Sequence, residues 1–367
     1  MQEQQLKNLK YIAGQFDIKC AVLSVKPLGA GHINDSYIVT ADSPDKPAYV
    51  LQRINHHIFK DVEGLQNNIH RVTTHIGNKL RAAGVQNVEN RVLLHVAATD
   101  GKLYHKDADG NYWRIRHFID GKSYDSGVTP ELALCAGQAF GNFQAMLADL
   151  PGEPLIETIP NFHNMENRLE TFRQAVKNNK AGRLSKTLHM VEEIEKRADE
   201  MCKAERLNRN GELPKRINHC DTKVNNVLFD GNNQVLCVID LDTVMPGYVL
   251  SDFGDFMRTG ANTGKEDDVD LNRIALDMKI FEAYTKGYLE KAKSFLLPVE
   301  KENLAFGAKL LTYMQTVRFF ADFLDGDLYY KINSPEHNWQ RTVAQFTLLQ
   351  SMEANFAEMC RIVLNEE

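Results

Sequence analysis

The chain has 367 residues, 43% of them hydrophobic and 25% charged, the balance of a globular protein with enough core for two domains. Lys and Arg total 43 against 49 Asp and Glu, a net charge of −6 that argues against a broad nucleic-acid-binding face. Cys20, Cys135, Cys202, Cys220, Cys237 and Cys360 stand far apart with no CxxC pair. Such spacing favours neither a disulfide framework nor a zinc knuckle, and predicts free thiols in a reducing cytoplasm. The opening MQEQQLKNLKYIAGQF lacks an apolar run of signal-peptide length, and nowhere do 18 apolar residues follow one another. The expectation is a cytoplasmic protein with no membrane and no nucleic-acid partner.

In chain order, alternation at Ala21–Val25, Ser36–Val39 and Tyr49–Ile54 predicts three strands around the turn-rich segments 27–35 and 41–47. Residues 61–82 switch to helical spacing, with Val62, Leu65, Ile69, Val72, Ile76 and Leu80 on one stripe. Two further strands are expected near 91–97 and 112–119. The texture changes after Ile119-Asp120-Gly121. Thr129-Pro130-Glu131 is a helix start, with a capping hydroxyl and Pro at the first helical position. Helices are predicted through Leu147 and over 164–180, 186–206, 272–293, 301–325 and 336–363. One hairpin interrupts them, Val227–Phe229 and Val235–Ile239 around a turn at 230–233. The expected fold is α+β and two-lobed: a small β-rich N-lobe with one helix (1–118), a hinge (119–122) and a larger, mainly helical C-lobe (123–367). A cleft between two such lobes is a natural ligand site.

The stretch from His219 to Asn226 reads H-x-D-x-K-x-x-N, and Asp240 follows the hairpin. This spacing resembles the catalytic and metal loops of the protein-kinase-like superfamily. The chemistry accounts for each residue type. Phosphoryl transfer needs a carboxylate to orient an acceptor hydroxyl and take its proton, the role of Asp221. Mg²⁺ needs hard oxygen ligands, which Asn226 and Asp240 supply. Lys223 offers a cation against developing charge, and His219 reads as a brace for the loop. The competing reading is a polar loop capped by Asx turns. Asp252-Phe253-Gly254 spells the protein-kinase metal triplet, but Pro246-Gly247 separates it from the hairpin. It is expected instead to begin a helix whose acids brace the catalytic loop.

ATP is expected on the N-lobe. Gly29 and Gly31, followed by His32, sit between two predicted strands, where backbone amides can approach phosphates. Arg53 stands on the third strand where the superfamily has a lysine, with Glu63 as its candidate ion-pair partner. Phe118, Ile119 and Asp120 would offer backbone groups to adenine.

With these residues, the chain resembles the aminoglycoside phosphotransferase/choline kinase branch of the superfamily, and within it the bacterial N-acetylhexosamine 1-kinases. GHINDSYIV (31–39), YVLQRIN (49–55), HCDTKVNNVLFD (219–230), VIDLDTVMPGYVLSDFGDFMR (238–258) and VRFFADFLDGDLYYKI (317–332) carry the resemblance. It implies ATP- and Mg²⁺-dependent phosphorylation of the anomeric hydroxyl of GlcNAc or GalNAc, with Asp221 as base and Asn226 and Asp240 as metal ligands. It also implies that His32, Asn34, Arg318, Tyr329 and Tyr330 shape the nucleotide and sugar pockets. Asp322, Asp325 and Asp327 add polar groups to that last region, or simply end a helix. A kinase for choline, an amino alcohol or an aminoglycoside is the same-chemistry alternative. A non-catalytic nucleotide sensor has no need of Asp221, Asn226 and Asp240 together.

Overall fold

The computed structural model describes residues 2–18, 21–28, 33–41 and 47–366, which leaves the expectations for Gly29, Gly31 and His32 outside the described residues. The chain divides into two compact units. The first comprises residues 1–122 together with 149–160 and 228–245; the sequence reading puts the latter two segments in the second lobe. The remainder forms the second unit.

The first unit opens with a helix, α1 (Gln2–Ala13), where the sequence reading saw only a polar lead. Strands β1 (Ser24–Pro27), β2 (Asp35–Thr40) and β3 (Pro47–Ile54) follow, then α2 (Val62–Ala82). Next come β4 (His95–Val96), β5 (His105–Lys106) and β6 (Tyr112–His117). Among the described residues they build a six-stranded antiparallel sheet in the order β1-β2-β3-β6-β4, with β5 also on β6. Asp61 caps α2 by accepting the Gly64 N–H, and Val62, Leu65, Ile69, Val72 and Ile76 are its buried stripe.

Strand alternation gives the sheet two distinct faces. Leu51, Val39, Val25, Trp113 and Ile115 form one core with Leu9, Ile12, Ala13 and Phe16, so α1 and its C-terminal extension cover that face. The register sets Gln52 against Arg114 and Val50 against Arg116 on the opposite face.

The second unit is mainly helical. It contains α3 (Pro130–Leu147), α4 (Met165–Asn178), α5 (Leu188–Met201), α6 (Lys203–Arg209) and the short β7 (Arg216–Asn218). The hairpin β8 (Val227–Phe229) and β9 (Val235–Val238), which from Leu228 on belongs to the first unit, is where the sequence predicts it. After β10 (Met245–Gly247) come α7 (Val249–Gly260), α8 (Met278–Ala292), α9 (Pro298–Glu302), α10 (Leu304–Asp325), α11 (His337–Ala354) and α12 (Phe356–Asn365). Three expected long helices are each split, at Cys202, Asn303 and Asn355. Thr129 caps α3 through the Leu132 N–H, with Pro130 at the first position.

Two seams set the helix spacing. A Cβ on Gly254 of α7 would lie 2.1 Å from the Gly307 carbonyl oxygen of α10, and one on Gly307 would lie 2.5 Å from the Leu250 carbonyl. Gly137 of α3 and Gly287 of α8 meet in the same way, at 2.3 and 2.1 Å from opposing carbonyls. Only glycine permits such backbone approach.

Candidate active site

The loop between β7 and β8 carries the predicted catalytic residues. Cys220 is in the left-handed region, at φ 63°, a strained conformation for a side chain with a Cβ. It holds because the loop backbone is tied down. Asp252 accepts the N–H groups of His219 at 2.7 Å and Cys220 at 2.8 Å, and Asp255 accepts that of Thr222 at 2.9 Å. The Thr222 hydroxyl donates to the Asp252 carbonyl at 2.5 Å. Both acids lie on α7, so Asp252-Phe253-Gly254 braces the loop as its helical context predicts. His219 is fully buried between Phe140 and Phe143, and its Nδ1 accepts the Asp221 N–H at 3.3 Å.

Burial pushes the Asp252 carboxyl up to about 6, against the pull of His219 and the backbone donors. The side chain also accepts from Gln144 at 2.8 Å. Removing a buried carboxylate that satisfies several donors costs about 3–5 kcal/mol. Asp252→Ala is therefore expected to lower the denaturation midpoint sharply, and Mg²⁺ dependence measured on the folded fraction should be unchanged. Urea unfolding and a Mg²⁺ titration test both halves.

Asp221 is half-buried and paired with Lys223 at 2.8 Å. The Asp221 carboxylate, and after it Asp255, pushes the Lys223 ammonium up. Asn226 donates from Nδ2 to the Asp221 carbonyl at 2.8 Å and to its Oδ2 at 3.1 Å. That fixes the amide so that its oxygen is left for a ligand. Asp240, in the first unit, is exposed at the end of the β8–β9 hairpin, with φ 60° and ψ 58°.

An amide oxygen and a carboxylate are the hard donors Mg²⁺ takes from protein when phosphates and water complete its shell. Among the described residues no three His, Cys, Asp or Glu side chains group as a self-sufficient metal site. The donor chemistry thus fits a metal brought in with a nucleotide.

The expected Arg53–Glu63 pair does not form. Arg53 binds Asp35, its register partner on β2, through Nε at 2.8 Å and through Nη2, with both side chains half-exposed. The reason is parity: Arg53 shares the face of Leu51, which α1 covers, while Glu63 lies in the first turn of α2. The buried cation on the other face is Arg114, which binds Asp242 with both Nη atoms. Burial, and then Arg114, pushes the neighbouring Arg116 down to about 10, with Asp240 and Asp242 opposing.

Asn34 has both ends of its amide engaged: Nδ2 donates to Asp242 at 2.5 Å and Oδ1 accepts from the Asn55 N–H at 2.9 Å. In the expected hinge, the Phe118 N–H is committed to the Ala48 carbonyl at 2.9 Å, Ile119 is buried and Asp120 is exposed.

In the second unit Arg318 lies over the rings of Phe162, Tyr330 and Tyr329, at 5.1, 5.7 and 5.9 Å. It donates to Gln315 at 3.0 Å, and Gln315 donates to the Tyr330 hydroxyl at 3.1 Å. Asp322 accepts the N–H groups of Leu328, Tyr329 and Tyr330, Asp325 pairs with Lys180, and Asp327 pairs with Arg183. These acids fasten the helix end and the tyrosine loop, which is the second of the two roles the sequence allowed them.

Sequence reasoning missed Phe162, His163 and Arg168. The one local signal was Asn164, which caps α4. His163 stacks on Phe162 at 4.6 Å, and its buried Nδ1 has no partner. Burial holds the imidazole neutral, reinforced by Arg318, Arg168 and Arg258 and opposed by Asp221. Arg168 ties down the Phe162 carbonyl at 2.7 and 3.1 Å, and burial and then Arg318 push it down to about 10.

The fold has known counterparts. An aminoglycoside phosphotransferase from Alicyclobacillus acidocaldarius shares the fold with a TM-score of 0.62 at 13% identity, covering 96% of each chain. A choline kinase from Cryptosporidium parvum does so with a TM-score of 0.57 at 13% identity over 98% of each chain. An ethanolamine kinase from Plasmodium vivax gives 0.55 at 12%, covering 88% of this chain and 82% of its own. At these identities the likeness is one of fold, the kinase-like arrangement of an antiparallel sheet unit and a helical unit. Residues 24–290, well over half the chain, match a sequence family of phosphate-transferring enzymes. The chain belongs to the phosphotransferase enzyme family, the aminoglycoside phosphotransferase/choline kinase-like group.

Proposed function

We propose that this protein is an ATP- and Mg²⁺-dependent kinase acting on the anomeric hydroxyl of an N-acetylhexosamine, GlcNAc or GalNAc, to give the sugar 1-phosphate. The observation that carries the acceptor class is the charge around Arg318. Arg318 and Arg168 have hydrogen-bond partners that are uncharged, a side-chain amide and a backbone carbonyl. They share an electrostatic neighbourhood with Asp221 and a neutral His163. Two guanidinium groups whose own hydrogen bonds go to uncharged partners disfavour choline, an amino alcohol or an aminoglycoside and suit a neutral acceptor rich in oxygen. The aromatic rings beside them supply the apolar wall that a sugar face needs.

Asp221 takes the part of base and Lys223 offsets charge beside it. An anomeric hydroxyl is more acidic than an ordinary alcohol, so a carboxylate of normal basicity suffices to orient it and receive its proton. Mg²⁺ would neutralise phosphate charge when the nucleotide is bound, Asn226 and Asp240 each offering a hard oxygen donor. Positioning then decides which hydroxyl reacts.

The test is phosphorus NMR of the product from GlcNAc or GalNAc with MgATP, since only an anomeric phosphate couples to H1. A 6-phosphate, or turnover of choline or kanamycin in preference to both hexosamines, overturns this reading. Arg318→Ala should raise the sugar KM by about tenfold or more, the loss of one charge-assisted bond, with the ATP KM little changed. Equal effects on the two would remove Arg318 from the sugar pocket.

A further inference from the structure

Asp240 keeps a left-handed backbone although it carries a Cβ, at the position proposed to meet the metal. Strain of this kind persists only where the surroundings over-determine it, and what surrounds it is a polar clamp within the first unit. Two residues on, Asp242 is buried and has both oxygens taken: Arg114 Nη1 donates to Oδ1, and Nη2 to Oδ2 at 2.9 Å. Asn34 Nδ2 donates to the same Oδ2 at 2.5 Å. Arg114 is held in turn, its Nε donating to Gln52 Oε1 at 3.0 Å while Gln52 Nε2 donates to Ser36 Oγ at 2.9 Å. From the other side, Asn68 of α2 donates to the Val244 carbonyl at 3.1 Å and to that of Ile156 at 2.9 Å. The segment 240–244 is therefore fastened to β6 at one residue and to α2 at another.

We propose that Arg114 and Asp242 are positioning residues that hold Asp240 in its metal-binding conformation, with Asn34, just before β2, joined to the same clamp. The inference rests on the proposed metal role of Asp240. Asp242, although it follows in the same I-D-x-D stretch, is no ligand itself, because a bidentate guanidinium and an amide saturate its oxygens. A bidentate Arg–carboxylate pair fixes distance and plane together, which a single charge contact does not.

The test separates positioning from stability. Arg114→Met alone strands a buried carboxylate and is unsuitable. The charge-free double variant Arg114→Met/Asp242→Leu replaces the buried pair by apolar groups, which is often neutral for stability. Arg114→Lys keeps the charge and loses the fork, and serves if the double variant does not fold. Binding of Mn²⁺ in the presence of ADP, followed by electron paramagnetic resonance, gives a readout independent of turnover. Folded variants are expected to bind Mn²⁺ at least tenfold more weakly in the double variant and severalfold in Arg114→Lys, with half-saturating Mg²⁺ shifted in parallel and the acceptor KM unchanged. Asp240→Asn is the reference. If it weakens Mn²⁺ binding while the folded clamp variants do not, the clamp is overturned and Asp240 keeps its role. If Asp240→Asn leaves Mn²⁺ binding intact, both readings fall.

Discussion

Asp221→Asn is expected to lower kcat by about 10²–10⁴, the range for loss of a general base, while the fold and ATP affinity persist. The substitution keeps shape and leaves one oxygen to accept the Asn226 amide, which donates to Asp221 Oδ2 at 3.1 Å. What goes is the charge that pairs with Lys223 at 2.8 Å and the capacity to receive a proton. The loop itself does not depend on that charge, because Asp252 and Asp255 hold its backbone. Single-turnover measurement at saturating ATP, with a thermal melt alongside, checks both parts. Near-normal turnover in the folded variant would remove Asp221 from the base position.

If Asp240 has the metal role proposed for it, Asp240→Ala should cost at least about 10³-fold in Mg²⁺-supported turnover, since a metal ligand carries several kcal/mol of charge stabilisation. Its stability should barely move: the side chain is exposed, and the clamp at Asp242 is intact without it. The contrast with Asp252→Ala is the informative part. Asp252 stands in the familiar D-F-G triplet yet is fully buried under the catalytic loop. Should Asp252→Ala lose metal dependence while Asp240→Ala stays active, the two carboxylates exchange roles.

The meeting of Asp221, Lys223 and Asn226 was legible because the typed residues of their loop lie within eight positions, so local spacing carries the pattern. The strands were legible where one face is buried, and so was α2 by its stripe. Arg53 shows where such reading stops. Alternation assigns it correctly to the face of Leu51, but nothing local says that α1 covers that face and that Arg114 serves the other. The helix α1 itself was missed because its apolar residues are few and set among Gln and Lys. The helix breaks at Cys202, Asn303 and Asn355 carry neither Gly nor Pro. His163 and Arg168 acquire meaning only against Arg318, some 150 residues later, a distance no periodicity spans. Asp322, Asp325 and Asp327 could be read as sugar ligands or as a helix end, and only their backbone and lysine or arginine partners decide.

The glycine seam between α7 and α10 bears on how this protein could be re-engineered. α7 carries the two acids that fix the loop bearing the proposed base, and α10 carries Arg318. Because Gly254 and Gly307 bring the two backbones together, a methyl at either would force the helices apart or bend them, at a typical cost of 1–3 kcal/mol or more. Both the proposed base, Asp221, and the proposed acceptor wall around Arg318 would shift with them. Libraries aimed at new acceptors therefore have most freedom in the loop around Leu328 and Tyr329, which is exposed and anchored through its backbone. Variants at the seam should instead show selectivity and turnover falling together, however conservative the replacement.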